Sequence, residues 1–278
     1  MKKTLSTWAS AAAAALVVAT GWPQAAHALL RDPVTSGLLA SGRVSVPLSS
    51  QESSATALPL AVSTVSVADS LAGTFEYRAS ADIGLLALKV FGSLSNGTGA
   101  RLGNGETPVM QVAAQLLDVI TLQSASADPY EVTLELLIDG NIVSAGGAAG
   151  ASANAFIDFG LLGGTNTADS ARYELGVIDD RLAVTKTVSG PIVQMVLEAL
   201  LTFTVQTLDP GATVTGELSN TALLRLVLPP GVQVVDSASG TFGVPIAAVP
   251  EPGSWALMAG GLLAIGSVAL RRTRRPHE

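Results

Sequence analysis

The sequence predicts an all-β protein: a single antiparallel β-sandwich or jelly-roll-like domain, flanked by an N-terminal signal peptide and a C-terminal transmembrane helix. Three observations predict the central domain. Apolar and polar residues alternate in several stretches, turn residues separate these stretches, and no convincing series of helices lies between them. About ten short strands without accompanying helices are typical of a sandwich.

The clearest strand pattern begins at Tyr130 and ends at Ile138, with apolar residues at the even positions and Glu131, Thr133 and Glu135 between them. The Asp139-Gly140 pair that follows predicts a tight hairpin turn into a strand at 141–143. A second alternating stretch covers residues 193–205, and a third covers 222–228 before the turn Pro229-Pro230-Gly231. Shorter Thr- and Val-rich strands are predicted at 43–48, 60–68, 73–79 and 171–178. Residues 109–120 have helical spacing, but 119–122 favours a strand.

The N-terminus has the three parts of a secretory signal peptide over residues 1–28. Lys2 and Lys3 precede an apolar stretch at 8–20, and small residues lead to Ala26-His27-Ala28. The apolar stretch is too short to span a bilayer as a helix, so cleavage after Ala28 is expected.

The C-terminus also combines an apolar stretch with positive charges, but here the charges follow the apolar stretch. Residues 254–270 are uncharged and predict a transmembrane helix of about 26 Å, at about 1.5 Å per residue. Four arginines follow within 271–275: Arg271, Arg272, Arg274 and Arg275. Because positive charges remain in the cytoplasm, the rest of the chain is placed across the membrane, in agreement with the signal peptide.

A Pro-Glu-Pro sequence, Pro250-Glu251-Pro252, stands immediately before this helix and keeps the chain extended. Alone it could be a juxtamembrane linker. Together with the apolar helix, the arginine cluster and the signal peptide, it closely resembles the PEP-CTERM sorting signal. The resemblance covers about 30 residues and departs from the pattern only in the extension Pro276-His277-Glu278.

The resemblance implies that the protein comes from a Gram-negative bacterium. It also implies a partner, the membrane enzyme exosortase, which processes the tail. It implies cleavage near Pro250, Glu251 and Pro252, retention by Arg271, Arg272, Arg274 and Arg275, and delivery to the cell surface or extracellular polymer. The expected organisation is a signal peptide (1–28), an entry segment (29–42), the β-sandwich (43–236), a linker (237–249) and the sorting tail (250–278, with the motif at 250–252 and the helix at 254–270).

Composition excludes several kinds of chemistry. The chain has no Cys, and its two His residues, His27 and His277, lie in the signal peptide and the tail, so a histidine-dependent triad or thiolate metal site is excluded. Residues 29–250 contain 20 acidic and 9 basic residues, a net charge of about −11. This charge disfavours the binding of nucleic acid. No catalytic residue, metal site or cofactor is assigned, and an enzyme is not expected.

The acidic and aromatic residues leave three possible functions open. A carboxylate pair could hydrolyse a sugar. In a strand, however, Asp179 and Asp180 would point to opposite faces, and they are predicted instead as a turn pair before Arg181, while Glu131 and Glu135 are predicted to lie on a solvated strand face. Asp139, Asn141, Asp179 or Asp180 could gather around calcium at loop ends, although no EF-hand spacing occurs. All Trp residues lie in the signal peptide and tail, which leaves three tyrosines for sugar stacking: Tyr77, Tyr130 and Tyr173.

The favoured hypothesis is an exported, non-enzymatic protein of the cell surface or the exopolysaccharide matrix of a biofilm. The chain is expected to be anchored transiently in the inner membrane before exosortase processing. The alternative is a polysaccharide- or calcium-dependent ligand-binding module on the cell surface, and a carboxylate-dependent hydrolase is the third hypothesis.

Overall fold

The computed structural model describes residues 36–46, 49–58, 60–70, 73–240 and 242. All of them belong to one compact unit, Met1–Val244. The predicted signal peptide with Ala26 and Ala28, the motif Pro250-Glu251-Pro252 and the tail arginines lie outside the described residues. Within the described part, no helix has the length and apolar character needed to cross a membrane.

The described chain forms 13 strands in two antiparallel sheets, which confirms the predicted all-β class. Sheet A has the order β2-β1-β6-β11-β8-β9, with β13 also paired to β6. Its strands are β1 (Gly37–Val46), β2 (Ser49–Ala55), β6 (Met110–Ser124), β8 (Ala149–Leu161), β9 (Asn166–Tyr173), β11 (Ile192–Leu208) and β13 (Val232–Ser237). Sheet B has the order β10-β7-β12-β5-β4-β3. Its strands are β3 (Leu60–Ser70), β4 (Gly73–Asp82), β5 (Ala87–Asn96), β7 (Tyr130–Ala145), β10 (Gly176–Val188) and β12 (Thr213–Val227).

The hydrophobic core lies between the inner faces of the two sheets. The alternation at 193–205 gives β11 its inner face, and every apolar residue that the pattern selected there is buried. Aromatic rings from one sheet pack against glycines of the other. Tyr77 of β4 lies against Gly42 of β1, and Phe203 of β11 lies against Gly92 and Gly216 of sheet B.

Hydrogen bonds join the edge strands of the two sheets along both sides of the sandwich. On one side the Tyr173 hydroxyl of β9 donates to Asp180 Oδ2 of β10 at 2.9 Å. On the other, Ser53 Oγ of β2 lies 2.5 Å from Ser63 Oγ of β3 and 3.0 Å from the Tyr77 hydroxyl. These bonds hold the edges of the sheets together.

The predicted hairpin at Asp139-Gly140 was wrong, because β7 continues through both residues. Gly140 is needed for close approach: a Cβ there would lie 2.5 Å from the Glu217 carbonyl oxygen of β12, next to an irregularity in the β7–β12 pairing. A single strand at 171–178 was also wrong, since β9 ends at Tyr173 and β10 begins at Gly176. Strand β1 starts at Gly37, inside the predicted entry segment 29–42.

The ambiguous stretch 109–120 lies almost wholly in strand β6. Both faces of β6 are largely buried, so apolar residues occupy positions on both sides and imitate helical spacing.

Candidate functional site

The outer face of sheet A contains a carboxylate pair in which Glu198 is buried and Asp158 is half-buried. Glu198 of β11 stands directly opposite Asp158 of β8, and on its other side opposite Leu117 of β6. Gln115 Nε2 of β6 donates to Glu198 Oε1 at 2.7 Å, and Asn166 Nδ2 of β9 donates to Asp158 Oδ2 at 3.0 Å. Four neighbouring strands therefore supply the side chains of this cluster.

Burial changes the electrostatics of the pair. Glu198 is 6% exposed, and desolvation, reinforced by the negative charge of Asp158, raises its pKa from 4.5 to about 7 despite the hydrogen bond from Gln115. Asp158 Oδ1 is buried and has no hydrogen-bond partner among the described residues. Two carboxyl groups with one raised pKa are a feature of acid–base sites. Here, however, solvent scarcely reaches Glu198.

The aspartates considered for calcium come together within strands, not at loop ends. Asp139 of β7 stands directly opposite Asp179 of β10, and both are exposed. Asp179 and Asp180 lie within β10, so the predicted turn was wrong, but their opposite orientations follow from the strand. Asp139, Asp179 and Asp180 line a shallow depression of about 400 Å³ with Arg181. Among the described residues no group of three or more acidic or histidine side chains is placed to hold a metal ion.

The acidic face predicted for β7 contains one ion pair. Glu135 Oε1 lies 3.4 Å from Arg181 Nη1 of β10, and the Glu135 side chain is buried. Glu131 is exposed on the same face. The two acids therefore share the outer face of sheet B, as the alternation predicted.

A groove of about 460 Å³ crosses the outer face of sheet B over strands β3, β4, β5 and β12. Its lining includes Phe91, whose ring lies 5.7 Å from the guanidinium carbon of Arg78. Lys89, Asp82 and Glu217 add charges of both signs to its walls. The groove thus combines one half-buried aromatic ring with polar groups.

The three tyrosines lie in the core or at the edges of the sandwich. Tyr77 is fully buried. Tyr173 is partly buried at the β9–β10 edge, where desolvation and its bond to Asp180 raise its pKa. Tyr130 is partly buried, and no residue in the described part of the chain forms a hydrogen bond with its hydroxyl.

The C-terminal end of the described domain is tied to sheet A. Asp118 of β6 is fully buried and accepts hydrogen bonds from the backbone N–H and the hydroxyl of Ser239. Desolvation raises the pKa of Asp118. Phe242 packs in the core. Residues 237–240 and Phe242, at the start of the predicted linker 237–249, are therefore held against the domain.

Sequence reasoning missed Asp118, Asp158 and Glu198. No local signal identifies the pairing of Glu198 with Asp158, because it depends on the register between β8 and β11. An acid within an apolar stretch, as at Asp118 and Glu198, was the available sign of a special role.

The comparisons with solved structures gave distant matches. The carbohydrate-binding module TmCBM61, solved with β-1,4-galactotriose, is 8% identical, with 62% of this chain and 90% of that chain covered and a TM-score of 0.26. The enzymatically active domain of tailspike protein 4 of bacteriophage CBA120 is 12% identical, with coverages of 70% and 20% and a TM-score of 0.22. These scores are too low to support an inference about ligand or activity. No curated protein matches the sequence.

The family model for the PEP-CTERM protein-sorting motif matches residues 248–275. This span includes Pro250, Glu251 and Pro252 and the arginines from Arg271 to Arg275. The motif implies export, C-terminal membrane anchoring until processing, and processing by exosortase. The chain therefore carries a PEP-CTERM protein-sorting motif at residues 248–275, and this motif implies an exosortase-sorted extracellular protein.

Proposed function

We propose that the protein is a non-enzymatic component of the cell surface or the exopolysaccharide matrix of a Gram-negative bacterium. The observation that supports this most directly is the sorting motif at 248–275 on a chain whose described part is one acidic β-sandwich. Pro250, Glu251 and Pro252 are the proposed processing motif. The four tail arginines hold the chain in the inner membrane until cleavage, and Ala26 and Ala28 precede the signal-peptide cleavage site.

Two features of the domain support a non-enzymatic role. Residues 29–250 contain neither His nor Cys. In the described part of the chain, Glu198 is the carboxylate whose pKa is raised to about 7, and this side chain beside Asp158 is only 6% exposed. A glycosidase needs two carboxyl groups flanking a sugar, and hence a cleft open to substrate.

The test is fractionation of the culture followed by intact-mass measurement. We expect the protein in the extracellular polymer fraction, with its new C-terminus within a few residues of Pro250. A variant with Pro250→Ala, Glu251→Ala and Pro252→Ala should remain in the inner membrane and end at Glu278. The matched control, Pro229→Ala with Pro230→Ala in the turn before β13, should be processed normally. Processed protein that is released freely and does not copurify with polymer would contradict the matrix role.

The groove around Phe91 supports a second candidate, a polysaccharide-binding module. An aromatic ring beside Arg78 and charged side chains is a surface on which a sugar ring can stack and form hydrogen bonds. We expect Phe91→Ala to weaken retention of the protein on its own purified exopolysaccharide if this candidate is correct. Leu223→Ala, on the same outer face of sheet B but outside the groove, is the control. Equal retention of all three proteins would reject the groove as a binding site.

A further inference from the structure

The outer face of sheet B carries exposed apolar side chains together with charges of both signs. Leu137, Leu223 and Val177 on this face are 36%, 38% and 86% exposed, and Leu60 and Val62 at its β3 edge are exposed as well. Leu223 of β12 and Leu137 of β7 stand directly opposite each other towards the middle of the sheet. Neighbouring apolar side chains on an outer sheet face are typical of a surface that meets another molecule.

Cross-strand pairs divide this face into rows, and the first row carries charges of opposite sign on its two halves. The strands β3, β4 and β5 form the first half of the face, and β12, β7 and β10 form the second half. In the first row, Asp82 of β4 is followed across the sheet by Ala87, Leu223 and Leu137 and then by Arg181 of β10. The negative charge of this row therefore lies on the first half and the positive charge on the second.

The next two rows carry the reverse arrangement of charge. In the second row, Lys89 of β5 and Asp139 of β7 lie on either side of the irregular part of β12. In the third row, Arg78 of β4 and Glu217 of β12 both stand opposite Phe91 of β5. The positive charge of these two rows thus lies on the first half of the face, and the negative charge lies on the second half.

This distribution of charge makes the face complementary to a copy of itself. A two-fold axis parallel to the strands, between β5 and β12, exchanges the two halves of the face and leaves each row in place. In two molecules related by this axis, each of these charges is displaced sideways by only about one strand spacing, 4.8 Å, from an opposite charge of the second copy. A symmetric dimer requires such a self-complementary surface.

Lys89 and Asp139 form the charge pair that depends most on a second molecule. Arg181 already pairs with Glu135 within its own chain. Lys89 and Asp139 are exposed, and neither forms an ion pair with another residue in the described part of the chain. Within one molecule they stand side by side on strands about 10 Å apart, with β12 between them. In the dimer they extend towards each other across the gap of about 10 Å between two packed sheets.

The shape of the face fits the same axis. The groove of about 460 Å³ lies mainly on the first half, where Thr64 of β3 forms part of its wall at one end of the third row. Val177 of β10, the most exposed large apolar side chain among the described residues, stands at the other end of that row. The axis brings Val177 of the second copy over Thr64. It also brings Lys89 of one copy beside the shallow depression that Asp139 and Arg181 of the second copy line.

The face is also large enough for a stable dimer. Its six strands cover about 24 Å at about 4.8 Å per strand spacing, and the 10 residues of β4 extend about 30 Å along the strand. The product is roughly 700 Å² per copy, close to the about 800 Å² that each partner buries in a standard interface. An axis parallel to the strands also gives the aligned packing that two twisted sheets favour.

We propose that the protein forms a two-fold symmetric dimer through the outer face of sheet B. Lys89 of each copy pairs with Asp139 of the other. Val177 of each copy enters the groove of the other, and Leu223 and Leu137 pack in the middle of the interface. This assembly goes beyond the proposed matrix role and does not depend on it. The dimer covers the groove, so it and polysaccharide binding in that groove exclude each other.

An exchange of charges tests the pair, with the protein purified from the culture and analysed by sedimentation equilibrium. The natural protein should have twice the mass that mass spectrometry gives for one chain. Lys89→Asp alone and Asp139→Lys alone should each be monomeric, because like charges meet at both symmetric contacts. An equimolar mixture of the two variants should be dimeric again, since both contacts of a mixed dimer join opposite charges.

Arg172→Asp is the matched control. Arg172 is an exposed arginine of β9 in sheet A, and its replacement changes the net charge by the same amount as Lys89→Asp. This variant should remain dimeric. Recovery of the dimer in the mixture also shows that both charge variants are folded, so that unfolding does not explain their monomeric state.

The other outcomes contradict the proposal in different ways. A natural protein that stays monomeric at its highest soluble concentration would overturn it, as would a dimer that persists in both single variants or a mixture that stays monomeric. Monomeric protein that binds exopolysaccharide through Phe91 would reject the dimer and support the polysaccharide-binding module. Release of the protein without polymer would contradict the matrix role but would leave the result of this test unchanged.

Discussion

Asp118 and Ser239, 121 residues apart in the sequence, are joined by two hydrogen bonds: the Ser239 hydroxyl and backbone N–H lie 2.7 and 3.1 Å from the two oxygens of the Asp118 carboxylate. A third bond comes from the Val119 N–H at 2.9 Å. The carboxylate is fully buried, so these donors replace water. The contact fixes the last turn of the domain to the middle of β6, and the predicted linker towards the sorting motif begins there.

Ser239→Ala should therefore loosen the C-terminal turn. Removal of one hydrogen bond to a buried carboxylate should lower the free energy of unfolding by about 1–3 kcal/mol. In the natural protein the Ala238 N–H donates to the Val119 carbonyl. Hydrogen exchange should locate the effect, because this amide should exchange faster in the variant. Ser126→Ala, an exposed serine that also donates to an aspartate, is the control. Unchanged exchange at Ala238 would show that β13 alone holds the turn.

The raised pKa of Glu198 predicts a pH dependence of stability. A raised pKa means that the folded state favours the protonated carboxyl. This contribution to stability is present below about pH 4.5 and is lost as pH rises through about 7. The full shift corresponds to about 3 kcal/mol, as an upper limit.

Glu198→Gln keeps the side chain neutral, so this variant should lose less stability between pH 4.5 and pH 8 than the natural protein. Urea unfolding across this range measures the difference. Glu131→Gln, at an exposed glutamate on sheet B, should leave the profile unchanged. Parallel profiles for the natural protein and Glu198→Gln would show that Glu198 does not titrate in this range.

Strands with one buried and one solvent-exposed face were predicted well from the sequence. Alternation located much of β7, because Val132, Leu134 and Leu136 are buried while Glu131 is exposed. It was ambiguous for β6, where Leu116 and Leu117 are both buried on opposite faces. The Asp139-Gly140 pair was mistaken for a hairpin turn because glycine occurs both in tight turns and where two backbones approach closely.

The pairing of Asp158 with Glu198 could not be predicted from the sequence. It depends on the register between β8 and β11, which are adjacent in sheet A although β9 and β10 lie between them in the sequence. The sorting tail was identified because its parts are contiguous in the sequence and need no tertiary structure to be recognised.

Asp139 and Asp179 give a prediction about charge. Two like charges directly opposite each other on neighbouring strands destabilise a sheet by roughly 0.2–1 kcal/mol. Asp179→Asn should therefore raise the free energy of unfolding at low ionic strength, with a smaller gain in 1 M salt because screening already weakens the repulsion.

Glu174→Gln, an exposed acid in the turn before β10, is the control for the change in net charge. Adding calcium distinguishes repulsion between the two aspartates from a cation site that they form. If Ca²⁺ stabilises the natural protein and not Asp179→Asn, the pair binds a cation and the repulsion argument is wrong.

The packing of Phe203 between the sheets predicts how the core responds to one methyl group. A Cβ at Gly216 would overlap the Phe203 ring, and one at Gly92 would lie 2.7 Å from it. Gly216→Ala should therefore destabilise the protein by about 1–3 kcal/mol through overpacking. Gly99→Ala, where a Cβ would meet no atom within 4 Å, should have little effect.

Phe203→Leu removes the ring that causes the overlap but leaves a cavity, so alone it should also be destabilising. In combination, the Cβ of Gly216→Ala occupies part of the space left by the ring. The double variant should then be more stable than the sum of the two single effects predicts, by at least 0.5 kcal/mol in a double-mutant cycle, the lower end of the roughly 0.5–3 kcal/mol range for residues in contact. Urea unfolding of the four proteins measures this term. Strict additivity would mean that the backbone of β12 shifts to accommodate the methyl group and that Gly216 is not required by Phe203.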